Sequence, residues 1–198
     1  MLVEQLELAE ADAREAAAGL AAQAEEEARV HAMASFLRVL CGDLTPAQAR
    51  TAATVATARG IRSVARLQQR WGEAVAGSAS ADEGMAAGAR MLMEQLELAD
   101  ADAREVAAGL AAHAARAADE ARVQAMADFL RGACDDLTAD RARAAAEAAA
   151  ANGFLTVTKL QRKCRRLAEQ STERASHGLM ELLGVDEDDA DAIRLALA

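Results

Sequence analysis

The sequence predicts an all-α protein: two small five-helix modules in tandem, joined by long continuous linker helices and preceded by the tail half of a further module. Three observations predict it. Of 198 residues, 56 are alanine, the strongest helix former, against a single proline. Apolar residues recur at helical spacing, and no β-branched run interrupts them. The chain also repeats itself. Leu92 to Ala103 restates Leu2 to Ala13, a looser copy closes the chain from Leu179 to Arg194, and Phe36 to Gln68 is matched by Phe129 to Gln161. These matches divide the chain into residues 1–22 (tail half of a module), 23–112 (first module) and 113–198 (second module).

In the first helix of a module, Val30, Met33, Leu37 and Leu40 form one stripe flanked by Phe36; Val123, Met126, Leu130 and Ala133 repeat it. It stops at Gly42-Asp43-Leu44 or Asp135-Asp136-Leu137. Thr45 is the next N-cap, with Pro46 at the first helical position and Gln48 completing a capping box. Thr138 starts the same helix without proline or box. This alanine-rich second helix ends at Gly60 or Gly153, each placed as a left-handed residue after the helix. Ser63 and Thr156 cap a third helix that carries Val64, Leu67 and Trp71, or Val157, Leu160, Cys164 and Leu167. The stretches Ala76 to Gly84 and Gln170 to Gly178 read as connections, and the fourth helix is predicted over Met91 to Leu98 or Leu179 to Leu183. The fifth begins among carboxylates, which favour the positive end of a helix dipole.

Between Asp12 and Cys41 the only breaker is Gly19; between Asp102 and Cys134 the interior glycines are Gly109 and Gly132. The closing helix of each module therefore runs directly into the opening helix of the next. The repeat offset grows here from 90 residues at Leu20/Leu110 to 93 at Arg29/Arg122. Three residues lengthen a helix by about 4.5 Å and turn it by about 300°. The two linkers are thus expected to present their downstream modules at different angles.

Composition narrows the function. Hydrophobic residues make up 53%, but alanine dominates them and aromatics reach only 2%, so each module buries a small core. The net charge of −10 disfavours nucleic acid, whose binding rests on phosphate neutralisation. No apolar run approaches the roughly 20 residues of a membrane span, and no basic-then-apolar leader opens the chain. Cys41, Cys134 and Cys164 are odd in number and lack CxxC spacing. They read as buried free thiols of a reducing intracellular compartment, cytoplasmic by default or an organelle if the chain is processed.

No catalytic constellation is visible, so neither enzyme activity nor a metal or other cofactor is expected. His31, His113 and His177 have no neighbours at metal-ligand spacing. The acidic run from Asp186 departs from a calcium loop, with Asp191 at the sixth position and Leu197 at the twelfth. Neither a phosphate-cradling glycine loop nor a nucleophile elbow occurs. The candidate sites are surfaces. Lys159, Arg162, Lys163 and Arg166 stand at i, i+3, i+4 and i+7, a basic stripe with Arg165 beside it. Asp186, Glu187, Asp188 and Asp189 form an acidic patch. Complementary patches on one small fold give head-to-tail contacts that propagate. The first module keeps Arg66 and Arg70 but has Gln69 and Glu73 at the other two basic positions. Leu2, Leu6 and Leu8 form the apolar surface of the opening half-module, which expects cover from a neighbouring module, another chain or a second copy.

The module resembles a sterile alpha motif (SAM) domain. The resemblance rests on Gly153-Phe154-Leu155-Thr156-Val157-Thr158-Lys159-Leu160, then Leu182-Leu183-Gly184-Val185, then the closing helix Asp189 to Leu197. It covers Val123 to Ala198 better than Val30 to Ala112, where Leu96-Glu97-Leu98 replaces Leu-Gly-Val. The residues between Leu167 and Leu179 also exceed the usual short connection. The resemblance implies a five-helix interaction domain, many of which self-associate through opposed surfaces. The expected role is a non-enzymatic protein–protein interaction scaffold or linker subunit in a larger assembly. The alternative is a binder of anionic surfaces or nucleic acid through residues 159–166.

Overall fold

The computed structural model describes the backbone of residues 2–134 and 136–198, and the side chains of these residues from 13 onward. Among the described residues the structure is entirely helical, in nine helices. These are α1 (Leu2–Leu40), α2 (Pro46–Ala58), α3 (Val64–Ala76), α4 (Ala81–Leu96), α5 (Asp100–Ala133), α6 (Ala139–Ala151), α7 (Val157–Ala168), α8 (Thr172–Leu183) and α9 (Glu187–Leu197). They form two compact units, Met1–His113 and Ala114–Ala198.

Helices α1 and α5 run without interruption, as the absence of breakers predicts. Residues 13–29 of α1 and 112–122 of α5 are all exposed, with no buried position among them. Alanine content and short-range ion pairs such as Glu25–Arg29 at 3.0 Å support helix there without tertiary packing.

In the first unit the end of α1, α2, α3 and α4 as far as Met91 form a body, and the end of α4 with the start of α5 forms a tail closed against it. Met33, Leu37, Leu67, Leu92, Leu96 and Leu110 are fully buried between them. The second unit repeats this with Met126, Leu130, Leu160, Leu179, Leu183 and Ile193. Ala49, Ala52, Ala53 and Ala56 of α2, like Ala142, Ala145, Ala146 and Ala149 of α6, let backbones approach where larger side chains are missing. The capping box is formed: Thr45 Oγ1 accepts from the Gln48 amide at 3.3 Å, and Gln48 Oε1 accepts from the Thr45 amide at 3.0 Å. Gly60 and Gly153 take φ of +84° and +82°, and the next amides return to Ala56 and Ala149 at 2.9 Å.

The fourth helices differ from the expectation. They begin at Ala81 and Thr172, so the connections shrink to residues 77–80 and 169–171. Ser80 and Ser171 cap them by accepting from the Glu83 and Arg174 amides at 3.2 and 3.1 Å. Gly84 and Gly178, which end the expected connections, lie inside helices, and Gly88 and Gly178 are packing residues. A Cβ on Gly88 would lie 2.5 Å from Trp71 Nε1, and one on Gly178 would lie 2.6 Å from Leu167 Cδ1. Large and small residues exchange places between the repeats: Trp71 and Gly88 correspond to Cys164 and Ala175, Leu167 and Gly178 to Ala74 and Met91. Likewise Gly109 meets Leu40, with a Cβ-to-carbonyl distance of 2.8 Å, where the second unit has Ala196 and Ala133.

Glu97 occupies the place of Gly184 and takes its left-handed conformation, φ 56° against 67°. Both amides close the preceding helix, onto Met93 at 3.1 Å and Met180 at 2.9 Å. The Arg59 guanidinium holds this turn by donating to the Glu97 carboxylate and the Glu94 carbonyl.

Candidate interaction surface

Helix α7 is strongly two-sided. Leu160 and Cys164 are buried in the second core, with Val157 and Leu167 at its margin. The opposite side carries Lys159, Arg162, Lys163 and Arg166, all exposed. Among the described residues none of these four side chains has an ion-pair or hydrogen-bond partner, although acidic residues outnumber basic ones in the chain, 32 to 22. Arg165 instead turns to the chain end and donates to the Ala198 carbonyl at 3.2 Å. The corresponding face of α3 is spent on itself: Arg66 bonds Gln69 at 2.8 Å, and Arg70 pairs with Glu73 at 3.7 Å. The free basic face therefore belongs to the second unit.

The acidic patch is divided. Asp186 caps α9 by accepting from the Asp189 amide at 3.1 Å. Arg141 spans Asp186 at 2.9 Å and Asp189 at 3.1 Å, and Asp189 is only 8% exposed. The Arg141 bond and the cap hold the Asp186 carboxyl below its ordinary range. Asp189 is thus part of the module's closure rather than a surface group. Glu187 and Asp188 remain exposed. Sequence reasoning missed Arg141, whose partners lie 45 and 48 residues away. It also missed Ser176 with Asp191 and Arg194, a half-buried trio in which the Ser176 hydroxyl lowers the Asp191 pKa.

Leu2, Leu6 and Leu8 lie outside the described side chains. The described continuation of that arm exposes Ala13, Ala16, Ala17 and Leu20, the last at 68%.

All three cysteines are buried and none is in a disulfide. Burial pushes the Cys41 and Cys164 thiols up, and the Glu105 carboxylate adds to this at Cys41. His113 is used in packing, edge-on to Phe36 at 5.6 Å and bonded to Gln68 at 3.2 Å; His177 pairs with Glu181 at 3.4 Å. Among the described residues no cluster of three His, Cys, Asp or Glu could hold a metal ion. Nor is any described helix long and apolar enough to cross a membrane. A shallow groove between α4 and the start of α5 is lined by Met85, Ala89, Met93, Arg90 and Arg104.

Comparison with known protein families, curated proteins and solved structures yields no match to this chain.

Proposed function

We propose that the chain is a non-enzymatic interaction scaffold of tandem SAM-like modules that joins protein partners, or further copies of itself, through charge-complementary faces. The observation that carries this reading is the exposed, unpaired basic face of α7 in a chain of net charge −10. Exposed charge pairs contribute only about 0.2–1 kcal/mol each, so one pair would not hold an assembly. Four cations on one rigid helix face act together, steering encounter and fixing register against an acidic surface. Glu187 and Asp188 at the start of α9 supply part of such a surface within the same module. Joining unlike faces leaves each end free to add another copy.

Lys159→Glu with Lys163→Glu tests the reading. Both side chains are exposed, so the unit should keep its helicity. Sedimentation at low salt should show that self-association is abolished; unchanged assembly would reject the mechanism. The same stripe favours a second reading, binding of anionic membranes or nucleic acid. A salt-sensitive shift with RNA or anionic vesicles, lost in the double variant, would select it over the protein-binding reading.

A further inference from the structure

One octet occurs twice in this chain with two backbones. Leu6-Glu7-Leu8-Ala9-Glu10-Ala11-Asp12-Ala13 lies within the continuous helix α1. Leu96-Glu97-Leu98-Ala99-Asp100-Ala101-Asp102-Ala103 differs only at Asp100, yet α4 ends at Leu96, Glu97 is left-handed and α5 begins at Asp100. Local propensity is nearly the same in both, so the break comes from packing. In the first unit Leu96, Leu98, Ala103, Val106, Ala107 and Leu110 are buried against the body. Their described counterparts Ala13, Ala16, Ala17 and Leu20 are exposed.

The glycine in each copy names the surface that would cover the arm. Gly109 is required, because α5 passes so close to Leu40 that a Cβ would sit 2.8 Å from its carbonyl oxygen. Gly19 is its counterpart and has nothing within 4 Å of an added Cβ. A glycine inside an exposed helix costs about 1 kcal/mol relative to alanine and gains nothing there. The second unit, whose body offers Ala133 in place of Leu40, has Ala196 in place of glycine. Glycine on the tail thus accompanies close approach to the end of the body's first helix.

We propose that residues 2–20 are a docking tail. They seat on a helical body of the kind formed by residues 30–91, one whose first helix comes as close to the tail as α1 does at Leu40, and the arm breaks at Glu7 as it docks. This extends the scaffold reading above and rests on it, but uses a different surface. The partner is a body with its tail seat open. The two bodies of this chain are not candidates, because their own tails fill them: Leu92, Leu96 and Leu110 in one, Leu179, Leu183 and Leu197 in the other, are at most 2% exposed.

The test uses the intact chain and a polypeptide of residues 23–91 as the open body, mixed at about 0.5 M salt to suppress charge pairing. Light scattering should show a one-to-one complex. Leu20→Asp and Gly19→Leu should each weaken it by about a hundredfold or more, since either disrupts an apolar seat while leaving the free exposed helix intact. Glu7→Gly, which suits the left-handed turn, should tighten it severalfold. A chain in which residues 23–91 are joined directly to Leu2 gives a second reading that needs no soluble fragment. Amide exchange at residues 13–20 should slow by about a hundredfold, and Gly19→Leu should reverse this. Absence of a complex together with unchanged exchange in the fusion would overturn the proposal, as would binding that Leu20→Asp and Gly19→Leu leave unaltered. Salt-sensitive assembly that ignores Leu20→Asp would reject the docking tail while leaving the charge-mediated scaffold in place.

Discussion

Replacing Gly109 by alanine should destabilise the first unit, although the same replacement at Gly19 strengthens its helix. Both glycines stand in the sequence Ala-Gly-Leu within a long helix. Helix propensity alone favours alanine at either place by about 1 kcal/mol. At Gly109 the new Cβ meets the Leu40 carbonyl oxygen at 2.8 Å and its Cα at 3.0 Å. These are backbone atoms, so relief requires α1 and α5 to move apart. Overpacking of this sort costs about 1–3 kcal/mol, and contact with backbone belongs at the upper end. The net loss is about 1–2 kcal/mol, with Tm falling by about 4–8 °C per kcal/mol in a domain of this size. Trp71 is the sole tryptophan and packs in the first core, so its fluorescence during urea titration reports this unit specifically. Leu40→Ala keeps the carbonyl oxygen, Cα and Cβ that the new Cβ meets, so it should not rescue the variant. A Gly109→Ala variant as stable as the natural chain, or more so, would refute the close-approach argument. Gly19→Ala should instead slow amide exchange across residues 13–29 and leave the Trp71 transition in place.

Gly184→Ala should cost the second unit about 1 kcal/mol, because its φ is +67° and the added Cβ has no neighbour within 4 Å, leaving backbone strain as the only effect; exchange of core amides in that unit measures it. Arg141→Gln should lower stability at neutral pH and remove part of the acid dependence. Asp186 is held below its ordinary value of 3.8, so its contribution is fully present above that value and is lost as pH falls through the lower folded one. The difference between natural chain and variant, followed by circular dichroism in urea, should shrink to nothing over that range rather than grow. Cys41 and Cys164 should react with a thiol reagent at pH 8 no faster than the native state opens, since both are buried and their thiols are pushed up; prompt labelling in the folded protein would contradict their placement.

What the sequence made legible was local. Thr45 with Gln48, and Gly60 and Gly153 at helix ends, act on backbone groups within a few residues, and their spacing declares them. The unbroken linkers followed from the same logic, as did the basic face of α7, because a helical period places Lys159, Arg162, Lys163 and Arg166 on one side. Glycine was ambiguous. Gly84 and Gly178 read as the ends of connections and Gly88 was not singled out, but Gly88 and Gly178 admit Trp71 and Leu167, which only tertiary packing reveals. The exchange of large and small residues between repeats was the available signal. Glu97 takes a left-handed turn that non-glycine residues adopt uncommonly, and its alignment with the glycine of Leu182-Leu183-Gly184-Val185 was the available signal. Asp189 read as solvated because its partner Arg141 is distant in sequence.

Mass by light scattering after gel filtration, at low salt and again at about 0.5 M salt, bears most directly on the scaffold proposal. The higher salt shortens the Debye length to about 4–5 Å and weakens pairing between exposed charges. The predicted result is a mass above the 20.7 kDa of one chain at low salt, falling towards that value at high salt. The Lys159→Glu, Lys163→Glu variant should stay at 20.7 kDa under both conditions. A natural chain of 20.7 kDa at both salts would contradict self-association through the α7 face.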